Sequence, residues 1–460
     1  MQVSIETTSG LERRMTIVVP SESFEHEISA RLNETAKRAR IAGFRPGKVP
    51  LKEVRRRFGA AVRQEVAGEL MQRSFTDAIK QESLAPAGQP RLEVISMNAG
   101  TDLEFAATFE VFPAIDLVGF GSVAVKRAHA DVTDDDVGRM VAKLREQRRT
   151  FADVARAAQD GDRVTIDFTG TLDGATFDGG TGSDVSFVLG QGQMIADFEQ
   201  GVRGHAAPES VSFDAKFPED YRAENLRGKT VRFEVAIKSV GEPKLPELDE
   251  AFLKAFGIEA GGVDAFKVEV RANMVRELDA AVRNQLKRQV MDELDRLHTV
   301  QLPASLVHRE IGSLRHQMAH QLGLHGHDHD HEHHDGHQDM PDVPDEVFRK
   351  EAERRVKVGL IVNHVISSTN LAPDAARVRA RIEDLAKPYT QPEQVINWYY
   401  SNPEQLSQIE MAVLEEQVVE RILAAASVTD VSSTYDDVIS GRAVGTTKAA
   451  EPETLETASG

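Results

Sequence analysis

DRVTIDFTGTLDGATFDGG, residues 162 to 180, sets strand-like runs against tight turns, and its reading decides how the rest of the chain divides. Four segments of the same character follow: VSFVLG (185–190), MIADFEQGV (194–202), VSFDAKFPEDY (211–221) and KTVRFEVAIKSV (229–240). Together they describe a β-rich domain over residues 150–243 that closes at the Pro-containing linker GEPKLPELDE. Before it, residues 113–149 form a connector: extended SVAVKRAHADV, then a helix opened by Thr133 and Asp136 in capping-box spacing, with Val137, Met140, Val141 and Leu144 on one apolar face that docks on the C-terminal region.

The first 112 residues read as a mixed module. RRMTIVVP is strand-like, a helix runs from about Ser21 to Ala42, helices continue to about Glu82, and PRLEVISM and LEFAATFEVFP alternate with period two. From 244 to 430 helical spacing dominates. Val270, Met274, Leu278, Val282, Leu286, Val290 and Leu294 recur once per turn, and Pro303, Pro344, Pro373 and Pro403 each stand near a helix start. Residues 431–460, ending GRAVGTTKAAEPETLETASG, are expected to be a disordered tail. The fold class is multidomain α+β.

Composition narrows the function. No apolar run approaches the ~18 residues that span a bilayer, and the N-terminus lacks the apolar centre of a signal peptide, so a cytoplasmic protein without a membrane partner is expected. The absence of Cys excludes disulfides and thiol catalysis. The formal net charge is -19, yet residues 31–63 hold eleven Lys and Arg against Glu34 and Glu53. Such separation points to a polyanionic partner addressed by one small surface, or to a solvated helix face. Within that window GFRPGKVP places Phe44 and Arg45 on a loop tip, because Gly43 and Gly47 permit positive φ while Pro46 and Pro50 forbid helix.

TIDFTGTLDGATFD, FVLGQGQMIADFEQGV and FPEDY resemble the FKBP-type peptidyl-prolyl isomerases. The resemblance implies a prolyl pocket of Phe168, Phe177, Asp178, Met194, Ile195, Phe198, Tyr221 and Phe233, joined by Phe217, with Phe198 at the floor where simple FKBPs have Trp. Rotation about Xaa-Pro is opposed by amide resonance, a barrier of ~18–20 kcal/mol. A dry apolar groove disfavours the charge-separated amide and grips the prolyl ring while the bond twists, so no nucleophile, metal or cofactor is required. Asp178 and the Tyr221 hydroxyl would orient the substrate by hydrogen bonds.

A basic module with this loop, then an FKBP-like domain, then a long helical region resembles the trigger factor family of ribosome-associated chaperones. That resemblance covers roughly residues 1–430. It implies that Gly43, Phe44, Arg45, Gly47 and Lys48 dock on ribosomal protein and RNA at the exit tunnel, and that the helical region encloses nascent and unfolded polypeptides. It also implies a homodimer when the chain is free. Pro46 departs from the family signature, which often has Lys there. Met274, Met291, Met318 and Met411 are candidates for client contact or for core.

HGHDHDHEHHDGH, residues 325–337, fits no part of that scheme. His325, His327, His329, His331, His333, His334 and His337 alternate with carboxylates between two amphipathic helices, a composition that chelates Ni, Cu or Zn, either adventitiously or in a physiological role. An FKBP-type isomerase acting as a histidine-rich metallochaperone is therefore the alternative function. His298, His308, His316, His320 and His364 are scattered on helices and are expected to be solvated or packed.

Overall fold

The computed structural model describes residues 1–39, 44, 49–321 and 343–443. The chain begins β1 (Gln2–Ser9), β2 (Glu12–Val19), α1 (Ser21–Arg38), α2 (Leu51–Gln81), β3 (Arg91–Ser96), β4 (Leu103–Glu110), β5 (Ala124–His129) and α3 (Asp134–Gln147). Next come β6 (Thr150–Asp153), β7 (Arg163–Leu172), β8 (Ala175–Val188), α4 (Ala196–Val202), β9 (Glu209–Lys216) and β10 (Thr230–Lys244). The remainder is α5 (Glu250–Lys254), α6 (Gly262–Leu297), α7 (Ala304–Gln321), α8 (Asp345–Ser368), α9 (Ala375–Ala386), α10 (Pro392–Ser401), α11 (Pro403–Ala425), β11 (Ser427–Ser432) and α12 (Tyr435–Ile439). Two units result, residues 1–127 with 284–430, and residues 128–283 with the stretch from 431. Among the described residues no helix is long and apolar enough to cross a membrane.

In the first unit the antiparallel sheet β1-β2-β4-β3 buries one face. Period-two alternation puts Met15, Ile17 and Val19 of β2 beside Leu103, Phe105, Ala107 and Phe109 of β4, and α1 and α2 cover them with Phe24, Leu32, Val66 and Phe75. The helix expected to Ala42 ends at Arg38, where Ala39 turns extended. Glu110 closes β4 and caps a helix far along the chain: its two carboxylate oxygens accept from the Ala304 and Ser305 N–H groups, each at 2.8 Å. Burial pushes this carboxyl up, but the hydrogen bonds from Ser305 and Ala304 outweigh it and hold it below the usual carboxylate range. His298 is buried between two backbone groups, with Nδ1 2.9 Å from the Leu294 carbonyl and Nε2 3.1 Å from the Val118 N–H. A neutral ring donating from Nδ1 satisfies both, so this histidine is a packed connector. α7 and α8 pair through Val307, Ile311, Leu314, Phe348 and Ala352.

The second unit has two cores. One surrounds α3, where Thr133 and Asp136 form the capping box read from the sequence. Val137 and Val141 there pack with Phe252, Phe266, Val270, Met274 and Leu278. The tail expected from residue 431 is corrected in its first part. Tyr435 and Val438 of α12 are buried in this core, and the Tyr435 hydroxyl donates to Glu277 at 2.6 Å, so residues up to 443 are anchored. Residues 444–460 lie outside the described residues. The other core belongs to a five-stranded sheet in which β10 pairs with β6, β7 and β9, and β8 pairs with β7, all antiparallel. α4 packs against its inner face through Phe198 and Val202.

Candidate functional site

The inner face of that sheet is an aromatic wall. Phe198 on α4 stands edge-on to Phe168, Phe187, Phe213 and Phe233, with centroid separations of 5.7, 6.2, 5.4 and 5.0 Å. Phe217 joins Tyr221 at 4.7 Å and faces Phe177 at 6.3 Å. All nine residues expected in the prolyl pocket belong to this one domain, in two layers. Phe198, Phe217 and Phe233 are buried, whereas Phe168, Phe177, Met194, Ile195 and Tyr221 are half-buried and Asp178 is exposed. The accessible groove is therefore the second layer, resting on the first.

Local sequence builds the rim. Between Thr169 and Thr171 the register of β7 on β8 jumps from Thr181 to Thr176, so residues 177–180 bow out of the ladder and carry Phe177 and Asp178 with them. Gly170 lies opposite, where a Cβ would sit 2.7 Å from the Phe233 ring and 3.1 Å from the Phe177 ring; only glycine lets both rings approach. The loop before α4 is held from beneath by Glu199, a buried carboxylate that accepts from the Gly190 N–H at 2.8 Å and the Met194 N–H at 3.3 Å. That pins Met194 and Ile195, the latter serving as N-cap of α4. In FPEDY, the Tyr221 N–H donates to the Pro218 carbonyl at 3.1 Å and Arg227 Nε donates to the Tyr221 carbonyl at 2.8 Å, which fixes the tyrosine backbone.

The polar groups of the groove are unspent. Among the described residues neither the Asp178 carboxylate nor the Tyr221 hydroxyl has a hydrogen-bond or ion-pair partner. An acceptor and a donor on an apolar surface can orient a peptide without transferring a proton. Sequence reading missed Phe187, Phe213 and Glu199. The rings were visible as inward positions of alternating strands, but Glu199 resembled any surface acid after Phe198.

The basic window is less basic than its composition. Arg31 pairs with Glu65 and Glu69, Arg63 with Glu25, Arg38 with Glu34 and Arg56 with Glu53. Three of those acids lie outside the window. Among the described residues Lys37, Lys52, Arg55 and Arg57 have no ion-pair partner. Ala39 and Val49 are buried in the N-terminal core, while Phe44 between them sits in a bend, 40% exposed. Gly43, Arg45, Gly47 and Lys48 lie outside the described residues, as does the whole histidine tract from His325 to His337. Among the described residues no group of three or more metal-ligating side chains occurs. Of the four methionines, Met274 and Met291 are buried, Met318 is half-buried, and Met411 is exposed. Met291 and Met411 line a mostly apolar cavity of about 900 Å³ with Val358, Val362 and Ala412.

Comparison with known proteins covers nearly all of the sequence. Residues 1–144 match the family model described as bacterial trigger factor protein (TF), residues 154–238 that of FKBP-type peptidyl-prolyl cis-trans isomerase, and residues 262–424 that of bacterial trigger factor protein (TF) C-terminus. The trigger factor of Alcanivorax borkumensis is 46% identical over 443 residues, which is 96% of this chain and 99% of that one. That of Pseudomonas fluorescens is 46% identical over 439 residues, 95% and 98% of the two chains. That of Cellvibrio japonicus is 46% identical over 447 residues, 96% and 100%.

Proposed function

Because the chain belongs to the bacterial trigger factor family, and is a chaperone of nascent and unfolded polypeptides carrying an FKBP-type peptidyl-prolyl isomerase domain, we propose which of its residues perform each task. Isomerisation takes place on the groove of Phe168, Phe177, Asp178, Met194, Ile195 and Tyr221, floored by Phe198, Phe217 and Phe233. The observation that supports this best is the pairing of an apolar aromatic surface with two polar groups that bond nothing else in the described chain. The prolyl ring rests on the aromatic layer, Tyr221 donates to a substrate carbonyl, and Asp178 accepts from a substrate N–H. The amide twists in a medium that stabilises its charge-separated form poorly, and no cofactor takes part.

The test uses the half-buried rim, where truncation spares the core. Phe177→Ala and Tyr221→Phe should each lower kcat/KM on a short Xaa-Pro peptide, by about 10-fold and about 3-fold respectively, with an unchanged circular dichroism spectrum. Wild-type turnover in both variants would move the site elsewhere.

Client holding belongs to the helical region, where the Met291 and Met411 cavity and the exposed Tyr389, Trp398 and Tyr400 offer adaptable apolar surface. The same surfaces favour pairing with a second copy in the free chain, read as a dimer by sedimentation velocity and absent if only monomer sediments. Ribosome docking belongs to the loop around Phe44, with Lys37, Lys52, Arg55 and Arg57 meeting RNA phosphates, and it places the protein in the cytoplasm.

The histidine tract is a surface chelator added to this chaperone. Zn or Ni should bind at neutral pH and dissociate towards pH 5, as imidazoles with an ordinary pKa of about 6.5 protonate. Deleting residues 325–337 should abolish binding in calorimetry and spare suppression of client aggregation. Equal metal stoichiometry in the deletion would place the ligands elsewhere.

A further inference from the structure

Phe168 enters the groove from β7, and its ring has an unusually tight seat. A Cβ on Gly182, across the ladder in β8, would lie 2.5 Å from that ring, so Phe168 rests directly on the β8 backbone. The position of β8 there departs from regular pairing. Ile166 faces Val185 and Phe168 faces Gly182, so Asp167 alone opposes both Ser183 and Asp184. Asp184 takes φ +55, the left-handed conformation that a bulge of this kind demands. On the other flank β10 has its own irregularity: Ile166 faces Ile237 and Thr165 faces Ser239, leaving Lys238 as the extra residue.

Both irregularities converge on one carboxylate. Asp167 Oδ1 accepts from Ser183 Oγ at 2.9 Å, from the Asp184 N–H at 2.8 Å and from Lys238 Nζ at 2.8 Å, and Lys238 also reaches Asp184 Oδ1 at 2.7 Å. Lys238, the Asp184 N–H and Ser183 hold the Asp167 carboxyl down at about 2, so it is charged throughout the working range. Inward residues of β7 are Val164, Ile166 and Phe168; Asp167 points the other way, into a shallow trough of about 610 Å³ lined by Thr169, Ser183, Ser212 and Glu234. It cannot touch a peptide lying on the aromatic face.

We propose that Asp167 is a positioning residue of the isomerase: from the reverse side of the sheet it clamps the bulges of β8 and β10 and thereby sets the angle at which Phe168 presents its ring to the prolyl group. The proposal rests on the aromatic groove being the catalytic site. Ion pairs as exposed as Asp167–Lys238 add little to stability, so the clamp acts through geometry. This separates it from Phe198 or Val164, whose loss acts through the core.

The test compares four variants of the full chain on a short Xaa-Pro peptide, with kcat and KM resolved. Asp167→Ala should lower kcat at least about 10-fold, leave KM within about 2-fold and leave the melting temperature nearly unchanged. Asp167→Asn keeps an oxygen for Ser183 and the Asp184 N–H, and should recover most of that loss. Gly182→Ala, which displaces the Phe168 ring without touching Asp167, should reproduce it. Phe168→Ala reports on the groove itself. If Phe168→Ala is impaired while folded Asp167→Ala turns over as wild type, the clamp is refuted and the groove stands. Full activity in Phe168→Ala refutes both. A fall in melting temperature with undiminished kcat in the folded protein also overturns the proposal, since it makes Asp167 merely structural. Should Asp167→Ala fail to fold, unchanged kcat in Asp167→Asn and Gly182→Ala together would reject it.

Discussion

Phe198→Ala should produce the largest loss in the isomerase domain, about 3–5 kcal/mol of stability and at least about 10-fold in Xaa-Pro turnover. The ring is 2% exposed and edge-on to four others, so truncation removes its own burial and those aromatic contacts, and leaves a void that Gly201 and Phe213 behind it are too tightly packed to fill. Domains are stable by only about 5–15 kcal/mol, so the variant should remain folded at 25 °C and melt early. Calorimetry should show one transition moved down. Turnover falls because Phe168 and Phe233, both leaning on Phe198, lose the support that shapes the groove. Suppression of aggregation by a proline-free client should persist, since it draws on broad apolar surface in the helical region. Unchanged peptide isomerisation in the truncated protein would remove Phe198 from the site. Parallel loss of both activities below the melting point would instead make this domain the main holder of clients.

What the sequence reveals and what it hides divides by range. The Thr133–Asp136 box, the α3 face of Val137 and Val141, and the alternation of β2 and β4 are all local patterns, and local patterns survive in a one-dimensional reading. The pocket residues were legible for another reason: they sit within recognisable motifs of one continuous domain. Glu110 capping α7, His298 bridging Leu294 and Val118, and Tyr435 meeting Glu277 join residues far apart in the chain, for which spacing carries no signal. Composition misled at residue 431, where one buried Tyr and one buried Val outweigh polar surroundings. It also overstated the basic window, because Glu25, Glu65 and Glu69 neutralise Arg63 and Arg31 from neighbouring helical turns. Asp167 was hidden differently. Its position was in plain view beside Phe168, but a clamp made of two bulges exists only once the register is known.

The loop substitution Phe44→Ala with Arg45→Ala and Lys48→Ala should weaken ribosome binding about 100-fold or more while leaving isomerase turnover and melting unchanged. Phe44 is a half-exposed aromatic on a span whose ends, Ala39 and Val49, are held in the core, so the fold does not depend on its ring. An aromatic anchor of this kind typically carries about 2 kcal/mol or more at an interface, roughly 30-fold. Arg45 and Lys48 add two phosphate contacts, and each lost contact reduces the salt slope of log K by about 0.7–0.9. Wild-type binding should therefore weaken steeply as salt rises, and the triple variant should show a slope shallower by about 1.5. Pro46, standing where a further cation is common in the family, predicts a second effect: Pro46→Lys should tighten binding at low salt and gain little at high salt. Lys52, Arg55 and Arg57 at the start of α2 are the remaining unpaired cations beside the loop, so charge reversal at Arg55 and Arg57 should lower the residual affinity of the triple variant further. Cosedimentation across a salt series reads all of these. If the triple variant pellets with ribosomes as wild type does at every salt concentration, the loop is not the anchor, and the basic window is the solvated helix face that its internal ion pairs already half describe.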